Sequence, residues 1–411
     1  MPAFRFLHAS DFHLERPPGG LAEAPDHLRD LLVEAPYRAA NNVFEAAQRH
    51  EVDFVVLAGD LVAPERSGPR GVLFLREQFA RLAERNIAVY WAGGSADRVH
   101  EWPAAIGWPA NVHICPADQP ARFTVIRSGQ TLCEIVGQSQ PHEGTLDVAT
   151  FDAALPDAVD ARFVVGLAHG DFSDEALHAE RIDYWALGGQ HELTLPQETR
   201  PLVHYPGTPQ GRSPDEAGPR GCTLVQVTEQ GEIRTVPVIT DVVRYHHERL
   251  TMPPLTSVAG DLERLLRERL QSFAESNPQV ALVVSFTLDV DDALPQPART
   301  QLPLPAITGV LRGEFGYRSP PAWLDRVRLP PPVLPETWLQ QENLLGDLLR
   351  AAGHLEHAGE PIDLDRYLPK GEWREPVAAV VRLKDRKLAP AAVREAASLA
   401  AGLLYPEEAR R

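Results

Sequence analysis

His8-Ala9-Ser10-Asp11-Phe12-His13-Leu14 follows the apolar run Phe4-Arg5-Phe6-Leu7, which reads as a first buried strand. If that strand continues to His13, Asp11 and His13 stand two residues apart and share a face. A carboxylate and an imidazole leaving one strand end together make half of a metal site. A D-x-H triplet alone is unspecific, so its meaning depends on partners further along the chain.

The following segments alternate between helix and strand. Residues 36–50 place Ala39, Val43, Ala46 and Ala47 on one helical face, with Pro36 suited to a first turn. Asp53 to Ala58 is a continuous apolar run ending in Gly59-Asp60, as a strand buried in a layered sheet reads. Residues 70–85 repeat the helical stripe, and Ile87 to Trp91 is a strand that stops at Gly93-Gly94-Ser95-Ala96-Asp97. Phe163 to Ala168 ends at His169-Gly170-Asp171, and Tyr184 to Leu187 leads to Gly188-Gly189-Gln190-His191. A strand pair around 221–239 turns at Gln230-Gly231. This order predicts an α/β layered domain, whose ligands collect beyond the carboxyl ends of its strands. Asp11, Asp60, the 93–97 loop, His169 and His191 all fall there.

The bulk properties narrow the class. A chain of 411 residues predicts two or three domains, and 44% hydrophobic with 24% charged residues predicts a globular protein with a sizeable core. No apolar run is long enough for a membrane helix, and Met1-Pro2-Ala3-Phe4-Arg5 passes straight into the first strand with no signal peptide. Cys115, Cys133 and Cys222 form no CxxC and read as buried thiols in a reducing compartment, so a cytoplasmic location is expected. The net charge of −17 argues against binding nucleic acid through bulk electrostatics, though a local basic groove is compatible with it.

A second domain is expected from about residue 241. Residues 255–275 carry a helical stripe (Leu255, Leu262, Leu265, Leu266, Leu270, Phe273), and Val280 to Val290 alternates as a strand. Pro320-Pro321 and Pro330-Pro331-Pro332 frame a stiff extended linker, and helices are expected over 336–352 and 390–404. His8, His100, His113, His142 and His178 read as surface or packing residues, and the adjacent His246-His247 cannot share a face on a strand.

Five motifs now stand in order: His8 to Leu14, Leu57-Ala58-Gly59-Asp60, Leu167-Ala168-His169-Gly170, Tyr184 to His191, and Tyr205-Pro206-Gly207-Thr208-Pro209-Gln210-Gly211-Arg212. On them the sequence resembles the calcineurin-like metallophosphoesterases, and most closely their DNA-repair exonuclease branch of the SbcD and YhaO type. The resemblance covers about the first three quarters of the chain. It implies a four-layer α-β-β-α sandwich over residues 1–240, a smaller α+β capping domain over 241–318, a Pro-rich linker over 319–335 and a C-terminal helical region over 336–411. It also implies a divalent metal (manganese, with iron or zinc as alternatives), DNA as substrate, a coiled-coil SMC-like ATPase docked on the C-terminal helices, and a homodimer.

Carried over by position, Asp11, His13, Asp60 and His191 hold the first metal, and Asp60 bridges to a second that also takes His169. The second set is depleted. Gly94-Ser95-Ala96-Asp97 stands where such proteins have Gly-Asn-His-Asp, so Ser95 replaces an asparagine ligand and Ala96 the catalytic histidine. Gly189 replaces another imidazole ligand, while Asp97, Asp171 and Gln190 are candidate substitutes. One ion is therefore expected rather than two. Arg212 is a candidate substrate contact. Two functions follow: a metal-dependent phosphodiesterase acting on DNA ends, or a catalytically impaired relative serving as a binding or scaffold subunit of a repair complex. A phosphoesterase for a small phosphorylated metabolite is a third, weaker reading, against which the Tyr205 to Arg212 stretch counts.

Overall fold

The computed structural model describes residues 1–21, 23–99, 102, 106–142, 145–155, 163–177, 181–194, 200–251, 258–289, 302–329, 334–358 and 389–404. His100, His178, Leu255, Val290 and Pro330 to Pro332 lie outside the described residues. The chain divides into two compact units. The first comprises Met1–His247 with Leu270–Ser285 and Leu311–Asp325; the second comprises Glu248–Arg269, Phe286–Val310 and Arg326–Arg411.

In the first unit, β1 (Phe4–Ala9) is followed by α1 (Asp26–Arg49), β2 (Phe54–Leu57), α2 (Pro64–Ala83), β3 (Ala88–Trp91) and β4 (Val112–Ile114). Next come β5 (Ala121–Arg127), β6 (Gln130–Gly137), β7 (Val164–His169), β8 (Tyr184–Gly188), β9 (Leu202–His204), β10 (Gly221–Val227) and β11 (Ile233–Ile239). The strands form one sheet of order β11-β10-β1-β2-β3-β4 and another of order β5-β6-β7-β8-β9. β1 to β4 run parallel, as do β6 to β9, with β10 antiparallel to β1 and β5 antiparallel to β6.

Period-two alternation on β1 explains the layering. Phe4 and Phe6 join Phe54, Tyr90, Ile135, Phe163, Val165 and Tyr184 in a core between the two sheets. Leu7 and Ala9 face the other way, into a core with Val43 and Phe44 of α1 and Leu75 and Phe79 of α2. The outer face of the second sheet is covered by short 3-10 turns at Val148–Thr150 and Asp152–Ala154 and by loop residues, packed on Trp185 and Leu187. The central strands of both sheets are thus buried on both faces, which accounts for their near-continuous apolar runs, while the edge strands β5 and β11 are partly exposed. No helix among the described residues is long and apolar enough to cross a membrane.

Several expectations shift. β1 ends at Ala9, so Asp11 and His13 do not owe their alignment to strand alternation; both lie in the left-handed region, at φ 56 and 43. α1 begins at Asp26, ten residues before the expected start, and Pro36 lies inside it. The early turns are fixed by burial of Leu28 and Leu32 against Val243, Tyr245, Val283 and Trp323. That shared core also means that residue 240 is not a break in the packing. The expected linker at 319–335 contains a strand, Ala322–Arg328, because Trp323 and Leu324 are buried there.

The remaining elements are β12 (Val243–Thr251), α3 (Val258–Ser276), β13 (Ala281–Asp289), α4 (Leu304–Phe315) and β14 (Ala322–Arg328), with sheet order β12-β13-β14. His246 stacks on Phe273, so it serves packing. In the second unit, α5 (Glu336–Leu339), α6 (Leu344–Ala358) and α7 (Ala389–Leu404) meet through Leu345, Leu349 and Ala401.

Two histidines are enclosed between the sheets. His8 Nδ1 is hydrogen-bonded to the Tyr184 hydroxyl at 3.0 Å, and His204 Nε2 to Thr223 Oγ1 at 2.8 Å. Burial pushes His204 down to about 4, and burial with the nearby His204 holds His8 well below the usual imidazole value. Both are therefore neutral in the fold, while in the unfolded chain they titrate near 6.5. Stability is full above that pH and falls as protons taken up by the unfolded chain are refused by the fold. Urea unfolding midpoints are expected to drop from pH 7 towards 4, with a shallower slope in His204→Gln. An unchanged slope in that variant counts against the assignment.

Candidate metal centre

Each predicted ligand reaches the site from the carboxyl end of a strand: His169 is the last residue of β7, and the others follow their strands in turns. Asp11 N–H donates to Gly59 O at 2.9 Å and His13 N–H to Asp60 O at 3.0 Å, which laces the loops after β1 and β2 together. Asp60 is also left-handed, at φ 55. Gly94 lies so close that a Cβ there would stand 2.3 Å from Asp60 Oδ1, so the loop after β3 requires glycine at that position. Thr208 anchors Asp11 from the far side, its hydroxyl donating to Asp11 O at 2.8 Å. The stretch Tyr205 to Arg212 therefore shapes the rim.

The side chains converge on two carboxylates. His13 Nε2 stands 3.9 Å from Asp11 Oδ1 and 3.6 Å from Asp60 Oδ2. His191 Nε2 is 3.9 Å from Asp11 Oδ1, and His169 Nε2 is 3.5 Å from Asp60 Oδ1. Two sets of three ligand atoms result, Asp11/His13/His191 and Asp11/Asp60/His169, each set lying within 4.8 Å. Asp11 belongs to both.

Three observations test whether a cation fits. Among the described residues Asp11 Oδ1 and His13 Nε2 are buried with no hydrogen-bond partner, an arrangement that costs free energy unless something compensates it. The nitrogen–oxygen separations exceed hydrogen-bond lengths, as they do when both atoms point at an ion about 2.1 Å from each. The far sides of two rings are engaged by oxygens, His169 Nδ1 donating to Ala58 O at 2.8 Å and His191 Nδ1 to Glu216 at 2.9 Å, whereas His13 Nδ1 lies 3.7 Å from Glu15 Oε1 and takes no hydrogen bond among the described residues. Nε2 of His13 and of His169 takes no hydrogen bond among the described residues, while that of His191 meets Arg212 Nη2 at 3.1 Å; outer carboxylates or carbonyls of this kind fix ring orientation at metal sites. The residues fit a divalent ion.

The charges agree. Burial opposes ionisation of Asp60, but His169, the Ala96 N–H, His13 and Ser95 together hold its carboxyl below the ordinary value. Burial likewise opposes a charge on His169, and Asp60 and Asp11 outweigh it and raise the imidazole. Glu216, despite burial, is drawn down to about 2 by His191 and Arg212.

The substituted positions have definite roles. Ser95 Oγ donates to the Asp60 carboxylate at 3.1 Å and Ala96 N–H to Oδ1 at 2.7 Å, so this loop binds the carboxylate directly. Gly189 N–H donates to Asp11 Oδ2 at 2.9 Å. Asp97 is not a substitute ligand: it is fully buried and accepts from Asp60 N–H, Leu61 N–H, Gly94 N–H and Trp91 Nε1. Burial and the neighbouring Asp60 raise it to about 6. Gln190 donates to Asp171 at the surface, and neither joins the two ligand sets. Arg212 pairs with Glu216, and its Nη2 lies 2.6 Å from Nδ1 and 3.1 Å from Nε2 of His191, which places it over the ring face. It braces His191 instead of facing the cleft.

Residues 4–193 match the family described as calcineurin-like phosphoesterase. Metal binding and hydrolase chemistry are the properties of that family. The metallophosphoesterase YhaO of Bacillus subtilis is 33% identical over 236 residues, which are 54% of this chain and 57% of that protein. The chain thus spans just over half the length of the curated relative it matches. A solved structure of a dimetal phosphatase from Danio rerio aligns with 58% of this chain and 99% of its own, at 10% identity and a TM-score of 0.35; at that score it says nothing about this site.

Four contributors had no sequence signal beyond proximity. Glu15 and Glu216 support the ligand imidazoles, and Arg16 and Arg66 line the cleft beside the ligands. Glu15 and Arg16 lie within three residues of His13, the one cue available. Arg66 stands six residues past Asp60, in the first turn of α2, and Glu216 is brought in by the 3-10 turn Pro214–Glu216 far along the chain.

Proposed function

We propose that the protein is a metal-dependent phosphodiesterase acting on DNA. The observation that carries the reaction class is the convergence of three Nε2 atoms on Asp11 and Asp60, with buried Asp11 Oδ1 and His13 Nε2 lacking a hydrogen-bond partner among the described residues. The DNA part is supported by the likeness of Tyr205 to Arg212 to the exonuclease branch. Asp11, His13 and His191 would hold one ion, and Asp11, Asp60 and His169 a weaker second, so that Asp11 rather than the expected Asp60 stands in both. Manganese, iron or zinc suits this mixed donor set. When bound, such an ion supplies a Lewis acid and a water of lowered pKa.

The chain's own groups do the rest. Asp97 locks the backbone of the 94–97 loop, and that loop donates two hydrogen bonds to Asp60. Glu15 and Glu216 orient His13 and His191. At Ala96 no side chain is present to protonate a leaving oxygen, a role worth roughly 10²–10⁴-fold. A nitrophenolate needs no such proton, whereas a deoxyribose alkoxide does.

The test is purified protein with manganese, given single- and double-stranded DNA and bis-p-nitrophenyl phosphate beside Asp60→Asn. Hydrolysis of the nitrophenyl ester is expected to exceed DNA cleavage by at least about a hundredfold, and both vanish in Asp60→Asn. The substitutions at Ser95, Ala96 and Gly189 favour one other reading, a scaffold subunit that keeps the fold and an ion. No turnover with any divalent metal would establish that reading and reject ours.

A further inference from the structure

The ligand cluster opens into a cleft of about 310 Å³ whose lining includes His13, Asp60, His191, Ala96, Arg16 and Arg66. The two arginines are hung from one connection. Arg16 N–H donates to His13 O at 2.8 Å, so its position is tied to a ligand three residues away. Arg66 N–H donates to Ala63 O at 3.1 Å in the first turn of α2, and Ala63 N–H donates to Glu15 Oε2 at 3.0 Å. Glu15 in turn approaches His13 on one side and Arg16 Nε, at 3.5 Å, on the other.

Both guanidinium groups are available. The Arg16 side chain is 50% exposed, and among the described residues its Nη groups take no hydrogen bond. Arg66 is exposed, with no ion pair among the described residues. Glu65 also lines the cleft, and Asp60, Glu65 and the Glu15 that approaches Arg16 oppose the two arginines; a bound divalent ion adds two positive charges there. A guanidinium fork matches the oxygens of a phosphate better than it matches any neutral ligand.

We propose that Arg16 and Arg66 form a phosphate clamp, gripping the non-bridging oxygens of the substrate's phosphate beside the metal centre. They supply part of the positive charge that no side chain supplies at Ala96. The clamp gives the cleft its preference for a phosphate anion within an acidic protein. It rests on the hydrolase reading for its purpose, though not for its detection.

The test is calorimetric titration of inorganic phosphate into the manganese-loaded full chain, comparing wild type with Arg16→Ala, Arg66→Ala and the double variant. Charged hydrogen bonds of this kind predict a loss of about tenfold in phosphate affinity for each single change and about a hundredfold for the pair. Metal content is unchanged, and Arg→Lys variants recover part of the loss. In parallel, the KM for bis-p-nitrophenyl phosphate rises more than kcat falls. Affinity within twofold of wild type in the double variant, or no phosphate binding by the loaded wild type, overturns the clamp. Phosphate binding that is lost in the variants of a protein with no turnover upholds the clamp and rejects the hydrolase. Turnover that the variants leave intact does the reverse.

Discussion

Asp11→Asn is expected to abolish both metal retention and phosphodiester hydrolysis while leaving the metal-free protein at least as stable as the wild type. Asp11 is the one residue common to both ligand sets, so its loss removes an anionic donor from each. Even outer partners of a metal site cost roughly 10–100-fold when removed, and a shared ligand should cost at least about a thousandfold. The stability half has the opposite sign from most buried-polar substitutions. In the metal-free chain, Asp11 Oδ1 is buried without a hydrogen-bond partner among the described residues and lies near a second buried carboxylate, Asp60. An amide removes that uncompensated charge and can keep the Gly189 N–H as donor to its own oxygen. With manganese, the wild type gains about 2.7 kcal/mol when free ion stands a hundredfold above its dissociation constant, and the variant gains none. Thermal melts with and without manganese, beside elemental analysis after gel filtration, read both effects. The wild type is expected to retain closer to one ion than two, since the second set shares Asp11 with the first. A variant that still carries stoichiometric metal, or a wild type that carries a full pair, contradicts this assignment of the ligands.

Gly188→Ala is expected to be the most damaging single-methyl change in the site. Gly188 ends β8 beside β7, and a Cβ there would lie 1.9 Å from Ala58 O and 2.9 Å from Ser10 Cβ. Neither contact can yield cheaply, because Ala58 N–H is bonded to Ala9 O and Ala58 O accepts from His169 Nδ1. Overpacking in a close-packed interior costs typically 1–3 kcal/mol, and a clash with backbone on this scale belongs at or above about 3 kcal/mol. The same shift detaches His169 from the carbonyl that sets its tautomer, so the second ligand set fails before the first. Urea midpoints measure the first effect. The second appears as loss of the weaker manganese site with the tighter one retained. A variant with wild-type stability and metal stoichiometry would mean that the strand end has slack the close contacts do not suggest.

The chain itself carried most of the fold. Unbroken apolar runs at Phe54 to Leu57 and Val164 to His169 can only be strands covered on both faces, and this requires the layered sheets observed. It carried the candidate ligands too, since Asp11, His13, Asp60 and His191 stand just past strand ends and His169 closes β7. The manner of their meeting was not legible there. Alternation on a continued strand would align Asp11 with His13, whereas left-handed turns do so after the strand has ended at Ala9. A helix start at Pro36 looked sufficient because the reason for ten earlier residues, a core with Tyr245, Val283 and Trp323, lies more than two hundred residues away.

What the sequence determined by itself is which side chains are present and which are missing: three imidazoles and two carboxylates at strand ends, and none at Ala96 or Gly189. Tertiary structure alone decided that Asp11 is shared by both ligand sets, that Asp97 is committed to backbone N–H groups, that Arg212 braces His191, and that Arg16 and Arg66 line the cleft. Residue identity follows local chain order. Sharing a ligand or lining a cleft depends instead on distances between loops separated by tens to hundreds of residues, and only packing sets those distances.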